Sequence, residues 1–489
     1  MVFSSLPFIC VFLPVVFLAV LAIPGMFAKN LLLAVASLVF YAYDEPVYVA
    51  LLLASTLVNW LFGLAIWRLG AGRSGSSGQH AWGQEGASRY APSDASRVAV
   101  TVAIVCNLVF LGFFKYSGML IDTINALAGT SFAAPDVELP IGISFYTFQA
   151  MSYVVDVYRG EVSAQRSFLK VLLYVSFFPQ LVAGPIVKYH DVEEQLDERT
   201  VTLDGVARGF RRFCFGLAKK VLISNVMGVV VDSIFSAVES EINILNAWTG
   251  AIAYVMQIYF DFGGYSDMAI GLASMFGFTY PENFNYPYAS TTVKEFWRRW
   301  HISLSTWLKE YLYIPLGGNR KGRARTVVNK LIVFLCCGLW HGAAWTYVVW
   351  GLIHGLFLLL EEYVPLRKLP KPLGWFYTML VVTFSFVLFR SESFDQGLFM
   401  MGQMLTGTDF TAESMSLLMQ QLTPLFVFTL IVAFVAAMPI KPAIERRVAG
   451  TSAGAVCDSL GYVFALVLLV LCLLSLASGG YNAFIYFQF

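Results

Sequence analysis

The chain has 489 residues, 58% hydrophobic and only 13% charged, with a net charge of +1. A soluble domain carries roughly twice that charged fraction, and the near-zero balance excludes the basic footprint of a nucleic-acid-binding protein. Seven scattered cysteines, an odd number without metal-ligand spacing, predict free packed thiols rather than a disulfide framework.

Apolar runs long enough to cross ~30 Å of hydrocarbon recur along the whole length. In chain order they predict spans at 5–24, 28–43, 46–69, 98–119, 140–158, 213–236, 247–277, 373–390, 423–440 and 460–478. No Lys or Arg precedes the first run, so it lacks the basic start of a signal peptide and reads as a retained span. Residues 70–97, rich in Gly, Ser and Gln with Pro92, read as a flexible cytoplasmic loop. Residues 167–187 carry Pro179 and Gly184-Pro185, which break a helix. A broken segment suits a re-entrant element lining protein or water. Within 247–277, Asp261 and Asp267 flank Gly263-Gly264, which predicts a helix interruption whose freed backbone groups need partners. Residues 327–362 are too long for one span and short for two with a full loop, so a hairpin or bent pair is predicted. They contain two Gly-x-x-x-Gly runs, Gly338 to Gly342 and Gly351 to Gly355, which let membrane helices approach closely.

Basic residues set the orientation. Lys and Arg number three in 70–97, five in 187–212, nine in 280–330, three in 363–372 and three in 441–447. Segments 120–139, 237–246 and 391–422 contain none, and carry Asp and Glu instead. The positive-inside rule places the first group in the cytoplasm and the second outside. Both termini then lie outside, and 327–362 begins and ends on the cytoplasmic side with His341 well inside the membrane.

An imidazole at membrane depth is a functional-site hypothesis by default, and histidine changes charge near neutral pH. Five histidines are present, and His301 and His341 mark the segment Lys294 to Gly355. His341 lies between Trp340 and Gly342; a structural histidine bonded to a neighbouring helix is the alternative reading. His301 follows Arg298, Arg299 and Trp300, and a basic, Trp-rich segment is also an interfacial anchor. His354 reads as a hydrogen-bonded packing histidine. The nine basic residues of 280–330 suit a phosphorylated donor, although membrane orientation explains them equally well. For Asp261 and Asp267 a structural role is at least as good a reading as a catalytic one. There is no P-loop, no Gly-x-Ser-x-Gly and no His-Glu-x-x-His. A general base without a nucleophile beside it points to activation of a substrate hydroxyl. The residues alone stop at a multispan protein with an intramembrane histidine site, enzyme or transporter.

Four motifs go further. They are Phe260-Asp261-Phe262-Gly263-Gly264-Tyr265-Ser266-Asp267-Met268-Ala269-Ile270-Gly271, Pro281-Glu282-Asn283-Phe284-Asn285-Tyr286-Pro287-Tyr288, the run Glu295 to Asn319, and Gly338 to Trp345. In this order they resemble the membrane-bound O-acyltransferase (MBOAT) family, in its alginate O-acetyltransferase-like branch. Teichoic-acid D-alanyl transferases are cousins with similar Trp-His motifs.

The resemblance implies an all-α polytopic membrane protein: about ten transmembrane helices plus re-entrant or broken ones, forming a ring around a central tunnel. It implies one multispan acyltransferase domain over 1–489, with 255–355 as its catalytic core. His341 corresponds to the family's essential histidine, and His301 to a second one near the same channel. Trp300, Arg298, Arg299, Trp340, Asn283 and Asp267 are candidates for lining the substrate or donor channel. The expected chemistry moves an acyl group, acetyl above all, from a cytoplasmic thioester to an outer acceptor. The donor is acetyl-coenzyme A or a carrier-protein thioester, with no bound cofactor and no metal. His341 takes the acceptor proton, while His301 orients the donor or shares proton handling. Expected partners are an extracytoplasmic esterase-like acetyltransferase, a polysaccharide acceptor such as alginate and membrane lipid, at a bacterial inner membrane. D-alanyl transfer and a non-catalytic transporter or secretion component are the alternatives.

Overall fold

The computed structural model describes residues 1–70, 92–135, 137–482 and 485; most of the loop expected over 70–97, residues 71–91, lies outside them. Among the described residues every regular element is helical. They fall into two compact units. The first holds Met1, Val11–Gly205 and Phe276–Tyr280; the second holds Val2–Cys10, Val206–Met275 and Pro281–Phe489. All seven cysteines are free, but not all are packed as expected: Cys10, Cys106 and Cys457 are exposed.

Among the described residues five helices are long and apolar enough to cross a membrane: Val49–Gly70, Asp94–Ala128, Leu203–Phe235, Lys371–Arg390 and Ser452–Ala477. The pair Ala412–Gln421 and Pro424–Ala437, bent by 65°, makes a sixth if taken as one span. The difference from the ten expected ranges has local causes. The first two ranges form the shorter helices Phe8–Ala22 and Met26–Ala42. Range 140–158 forms Ile143–Arg159, 17 residues long and almost wholly buried. Range 247–277 forms the 32-residue helix Ile244–Met275, which carries buried Asn246, Gln257, Asp261 and Ser266. It is long enough to span, but its polar groups are held by protein rather than lipid.

In the first unit, reciprocal amide hydrogen bonds between Asn59 and Asn107, at 3.0 and 2.7 Å, tie Val49–Gly70 to Asp94–Ala128. Such pairs act as polar glue between apolar helices. The broken segment behaves as predicted. Helix Phe168–Ser176 stops at Phe177, whose backbone is extended (ψ 116°), and Phe178–Leu181 follows. Residues 171–187 are buried throughout, so the irregular backbone is enclosed by protein.

In the second unit, Ile244–Met275 is the central helix. The interruption expected at Gly263-Gly264 does not occur, for the helix runs unbroken through it. Gly264, with Gly271 two turns on, serves close approach instead. A Cβ at Gly264 would lie 2.7 Å from the carbonyl oxygen of Gly216, and one at Gly271 2.5 Å from that of Gly209. The helix therefore packs backbone to backbone against the run Leu203–Phe235. A π turn at Lys219–Ser224 breaks the regularity of that run and presents two adjacent lysines to the two acids of the central helix. Lys219 meets Asp267 at 2.6 Å, and Lys220 meets the fully buried Asp261 at 2.5 Å.

The hairpin expected over 327–362 is present as Arg323–His341 and Trp345–Tyr363, joined by Gly342, Ala343 and Ala344. At 1.5 Å per residue each helix is about 28 Å long. Glycine again sets the spacing: a Cβ at Gly351 would sit 2.3 Å from the Phe334 carbonyl oxygen, and one at Gly338 2.3 Å from that of Tyr347. His341 is the last residue of the first helix, at the tip of the hairpin.

Candidate active site

The site lies within the second unit. The chain from Thr292 to Leu308 forms two short helices, Val293–Arg299 and Ile302–Leu308. The first starts under two caps. Thr292 Oγ1 accepts the Glu295 backbone N–H, and the Glu361 carboxylate of the hairpin accepts those of Val293 and Lys294. The helices part at His301, which adopts φ 44°, a left-handed conformation rare for a non-glycine residue. Cross-chain bonds impose it. The Asn285 N–H donates to the Arg299 carbonyl and the Ile302 N–H to the Asn283 carbonyl, both at 2.9 Å. Strained backbone of this kind persists where the surroundings over-determine it.

Asn283, fully buried, decides the state of the His301 ring. Its Oδ1 accepts from the Ser303 backbone N–H at 3.2 Å and from Ser303 Oγ at 2.8 Å. Its Nδ2 donates to Ser266 Oγ on the central helix at 3.0 Å. Because the Ser303 N–H can only donate, the atom facing it is the amide oxygen. The same oxygen lies 3.2 Å from His301 Nδ1, so that nitrogen carries the proton. His301 Nε2 is then the acceptor, and no side chain or backbone group among the described residues hydrogen-bonds to it.

His341 is the neighbour. The two imidazole centroids are 6.2 Å apart, too far for a direct hydrogen bond and close enough to share a small bound group. Both rings are buried, His301 completely. Trp340 lies against both, with centroids 5.6 Å from His301 and 5.0 Å from His341. Phe262 closes the His301 side at 4.7 Å, and Trp350 and Phe389 close the His341 side at 5.1 and 5.3 Å. The surroundings are aromatic, which excludes water and strengthens any electrostatic interaction made there.

The other candidates spread outward. Trp300 is buried, stacked on Phe296 and edge-on to Phe284. Arg299 pairs with Glu295 one turn back, and Arg298 is exposed. Asp267 is remote from the imidazoles in hydrogen-bond terms. It receives Arg212 Nε at 2.9 Å and Lys219, while Arg212 also donates to Glu282 at 2.7 Å. Glu282 precedes Asn283, so this network tethers the loop that presents Asn283 to His301. Asp261 binds Lys220 and the backbone N–H of Ile485, a structural pairing. His354 is a packing histidine. The Trp297 indole donates to its Nδ1 at 3.2 Å, so Nε2 carries the proton and faces Ser385 Oγ at 3.0 Å. Sequence reasoning missed Ser303, Ser266, Trp350 and Phe389. Only the hydroxyl two residues after His301 left a trace, in the Trp-His-Ile-Ser run.

Comparison with known proteins places the chain in a family. The sequence profile of the membrane-bound O-acyltransferase family matches residues 159–391, which include both histidines. The chain is 39% identical to the probable alginate O-acetylase of Pseudomonas putida across the whole of both proteins. It is 34% identical to the peptidoglycan O-acetyltransferase of Helicobacter pylori, over 81% of this chain and 78% of that one. Similarity to the teichoic acid D-alanyltransferase of Bacillus subtilis is lower, 27% over 51% of this chain and 67% of the other.

Proposed function

The chain belongs to the membrane-bound O-acyltransferase family, and on that premise we propose that it carries acetyl groups from a cytoplasmic thioester to an outer hydroxyl, for O-acetylation of an extracellular polysaccharide such as alginate. It is a multi-pass membrane protein, and the bacterial inner membrane fits a donor made in the cytoplasm. The observation that carries the reading is the buried pair His301–His341, with His301 Nε2 held as a proton acceptor by Asn283.

The acceptor hydroxyl binds between the two rings, and His341 takes its proton. The hydroxyl oxygen bonds to the thioester carbonyl carbon, the carbon–sulfur bond breaks, and the thiolate leaves to be protonated as free thiol. His301 shares the proton handling, since its free nitrogen is an acceptor; orienting the donor falls to other groups. Exposed Lys294, Arg298, Arg320, Lys321, Arg323 and Arg325 make no ion pair among the described residues. They suit the phosphates of acetyl-coenzyme A or of a carrier's phosphopantetheine arm. A single acyltransferase domain, a ring of about ten spanning helices around a tunnel, and an extracytoplasmic esterase-like partner complete the proposal. The higher identity and coverage of the acetyl-transferring relatives favour acetyl over D-alanyl transfer.

The test uses purified protein in nanodiscs with acetyl-coenzyme A and a hydroxyl acceptor. Stoichiometric thiol release and acetyl ester formation are expected, whereas a transporter releases no thiol. His341→Gln keeps hydrogen bonding but lacks a base, so turnover falls about 10²–10⁴-fold with normal insertion. Near-wild-type turnover of His341→Gln refutes the mechanism.

A further inference from the structure

Three side chains of metal-ligating type converge at the end of the helix Ile143–Arg159, in the first unit. Asp156, fully buried, lies on its last turn. Gly160 ends the helix in a left-handed conformation (φ 72°), and the Glu161 N–H donates back to the Asp156 carbonyl at 3.0 Å. This C-terminal turn returns Glu161 beside Asp156. His190 arrives on the helix Tyr189–Asp197. The preceding Tyr189 is fully buried and edge-on to Tyr153 and Tyr174, which fixes where that helix starts. No metal-ligand spacing announces the group in the sequence, because its members meet only through these long-range contacts.

The spacing is that of a coordination site. His190 Nδ1 lies 3.0 Å from Asp156 Oδ2 and 3.7 Å from Glu161 Oε2, and one ligand atom of each residue lies within 4.8 Å of the others. Bonds of about 2.1 Å to a tetrahedral zinc ion set ligand atoms about 3.4 Å apart, between those two distances. A hydrogen bond accounts for less: 3.7 Å is too long for one, and Nδ1 has a single proton for two carboxylates. The other side of the ring points the same way. A ligating imidazole gives its second N–H to a carboxylate, carbonyl or water, and His190 Nε2 lies 3.3 Å from Asp191 Oδ1. Asp191 is itself held, its Oδ2 accepting the Lys188 N–H at 3.4 Å. The oxygens of Glu161 are likewise divided, with Oε1 3.8 Å from Arg159. One imidazole and two carboxylates without a thiolate suit zinc, cobalt or manganese, whereas calcium and magnesium favour oxygen alone. His190 and Glu161 are partly exposed, so an ion enters from solution and keeps water as its remaining ligand.

We propose that Asp156, Glu161 and His190 bind one divalent transition-metal ion, zinc in the first place, with Asp191 receiving the second N–H of the imidazole. The ion joins the chain on both sides of the broken segment and closes it into a loop. Metal clips that close long loops restrict the unfolded chain most. Without metal, Nδ1 keeps its proton and donates to Asp156.

The test uses the full chain in nanodiscs, purified on an affinity tag free of histidine and stripped with a chelator that is then removed. Cobalt(II) is titrated as a spectroscopic probe, and zinc is followed by the thermal midpoint. The wild type is expected to bind one equivalent of cobalt with visible d–d absorption and to lose the colour to one equivalent of zinc. It should also melt higher with zinc than after chelation. His190→Gln and Glu161→Gln are expected to weaken cobalt binding about 100-fold or more, and Asp191→Asn about 10–100-fold. The Glu161 side chain is the most exposed of the three ligands. Its variant therefore separates lost ligation from lost folding, which its midpoint in chelator reads. No cobalt bound by the wild type, wild-type affinity in Glu161→Gln, or a midpoint that ignores zinc overturns the proposal.

Discussion

Substitution of Gly351 by alanine tests whether the hairpin's close approach sets the catalytic geometry. The added Cβ would lie 2.3 Å from the Phe334 carbonyl oxygen and 3.1 Å from the Gly338 nitrogen, both backbone atoms that cannot rotate away. Ordinary contact is about 3.5 Å, so the two helices must part by about 1 Å. Overpacking of this kind costs about 1–3 kcal/mol. The displacement is transmitted to the chemistry, because Gly338 lies on the helix that ends in His341 and Trp350 packs edge-to-face against that imidazole. A shift of about 1 Å in a reacting group costs on the order of 10²-fold in rate. Gly355→Ala is the internal control. Its nearest neighbour is the Phe334 Cβ at 3.2 Å, a contact relieved by a few tenths of an ångström. The assay is thiol release in nanodiscs together with the midpoint of thermal unfolding. Gly351→Ala is expected to lower kcat about 100-fold and the midpoint measurably, with the donor KM unchanged; Gly355→Ala is expected to resemble wild type. A Gly351→Ala protein with wild-type kcat and midpoint would refute the link between hairpin spacing and the histidine pair.

Asn283→Ala removes four hydrogen bonds and orphans buried donors, costing roughly 2–4 kcal/mol and freeing the His301 ring. Turnover should fall about 10²–10⁴-fold, while Asn283→Asp, which keeps the accepting oxygen, should lose less; equal kcat for Ala and wild type would sink the tautomer argument. His190 lies outside the spanning helices, and its hydrogen bond to Asp156 raises its pKa above the usual histidine value. A raised histidine pKa stabilises the fold below about pH 6.5 and loses that contribution as pH rises through the folded value. Burial pushes the nearby Glu193 carboxyl up to about 7, so its own loss, of the same sign, is largely over above neutrality. As pH rises from about 6.5, melting curves should fall less steeply for His190→Gln than for wild type, and parallel curves would contradict the pairing. In a background with all seven free cysteines replaced, Arg320→Cys and Lys321→Cys should resist an impermeant thiol reagent in intact cells, whereas Asp409→Cys and Glu413→Cys should react. Labelling at Arg320→Cys from outside would reverse both the orientation and the donor side.

Local composition determined much of this protein in advance. Apolar length placed it in a membrane, Pro179 and Gly184-Pro185 marked the broken segment, and a 36-residue apolar stretch over 327–362 announced a hairpin. Motif resemblance nominated His301 and His341. These signals are legible because hydropathy, helix breaking and short motifs depend on neighbours along the chain. Tertiary structure decided the rest. Residues forty positions apart became ring neighbours only through the hairpin and the strained turn at His301. Asn283, unremarkable by type, set the tautomer because a backbone N–H from Ser303 fixes which end of its amide faces the ring. Gly263-Gly264 read as a break in isolation. In the fold they sit in an unbroken helix, and Gly264 lets a second helix approach at its own Gly216. Asp267 read as a channel candidate until Lys219 and Arg212 claimed it. A side chain's charge and shape are written in the sequence, but the partner that gives them a role comes from long-range packing, which no local pattern encodes.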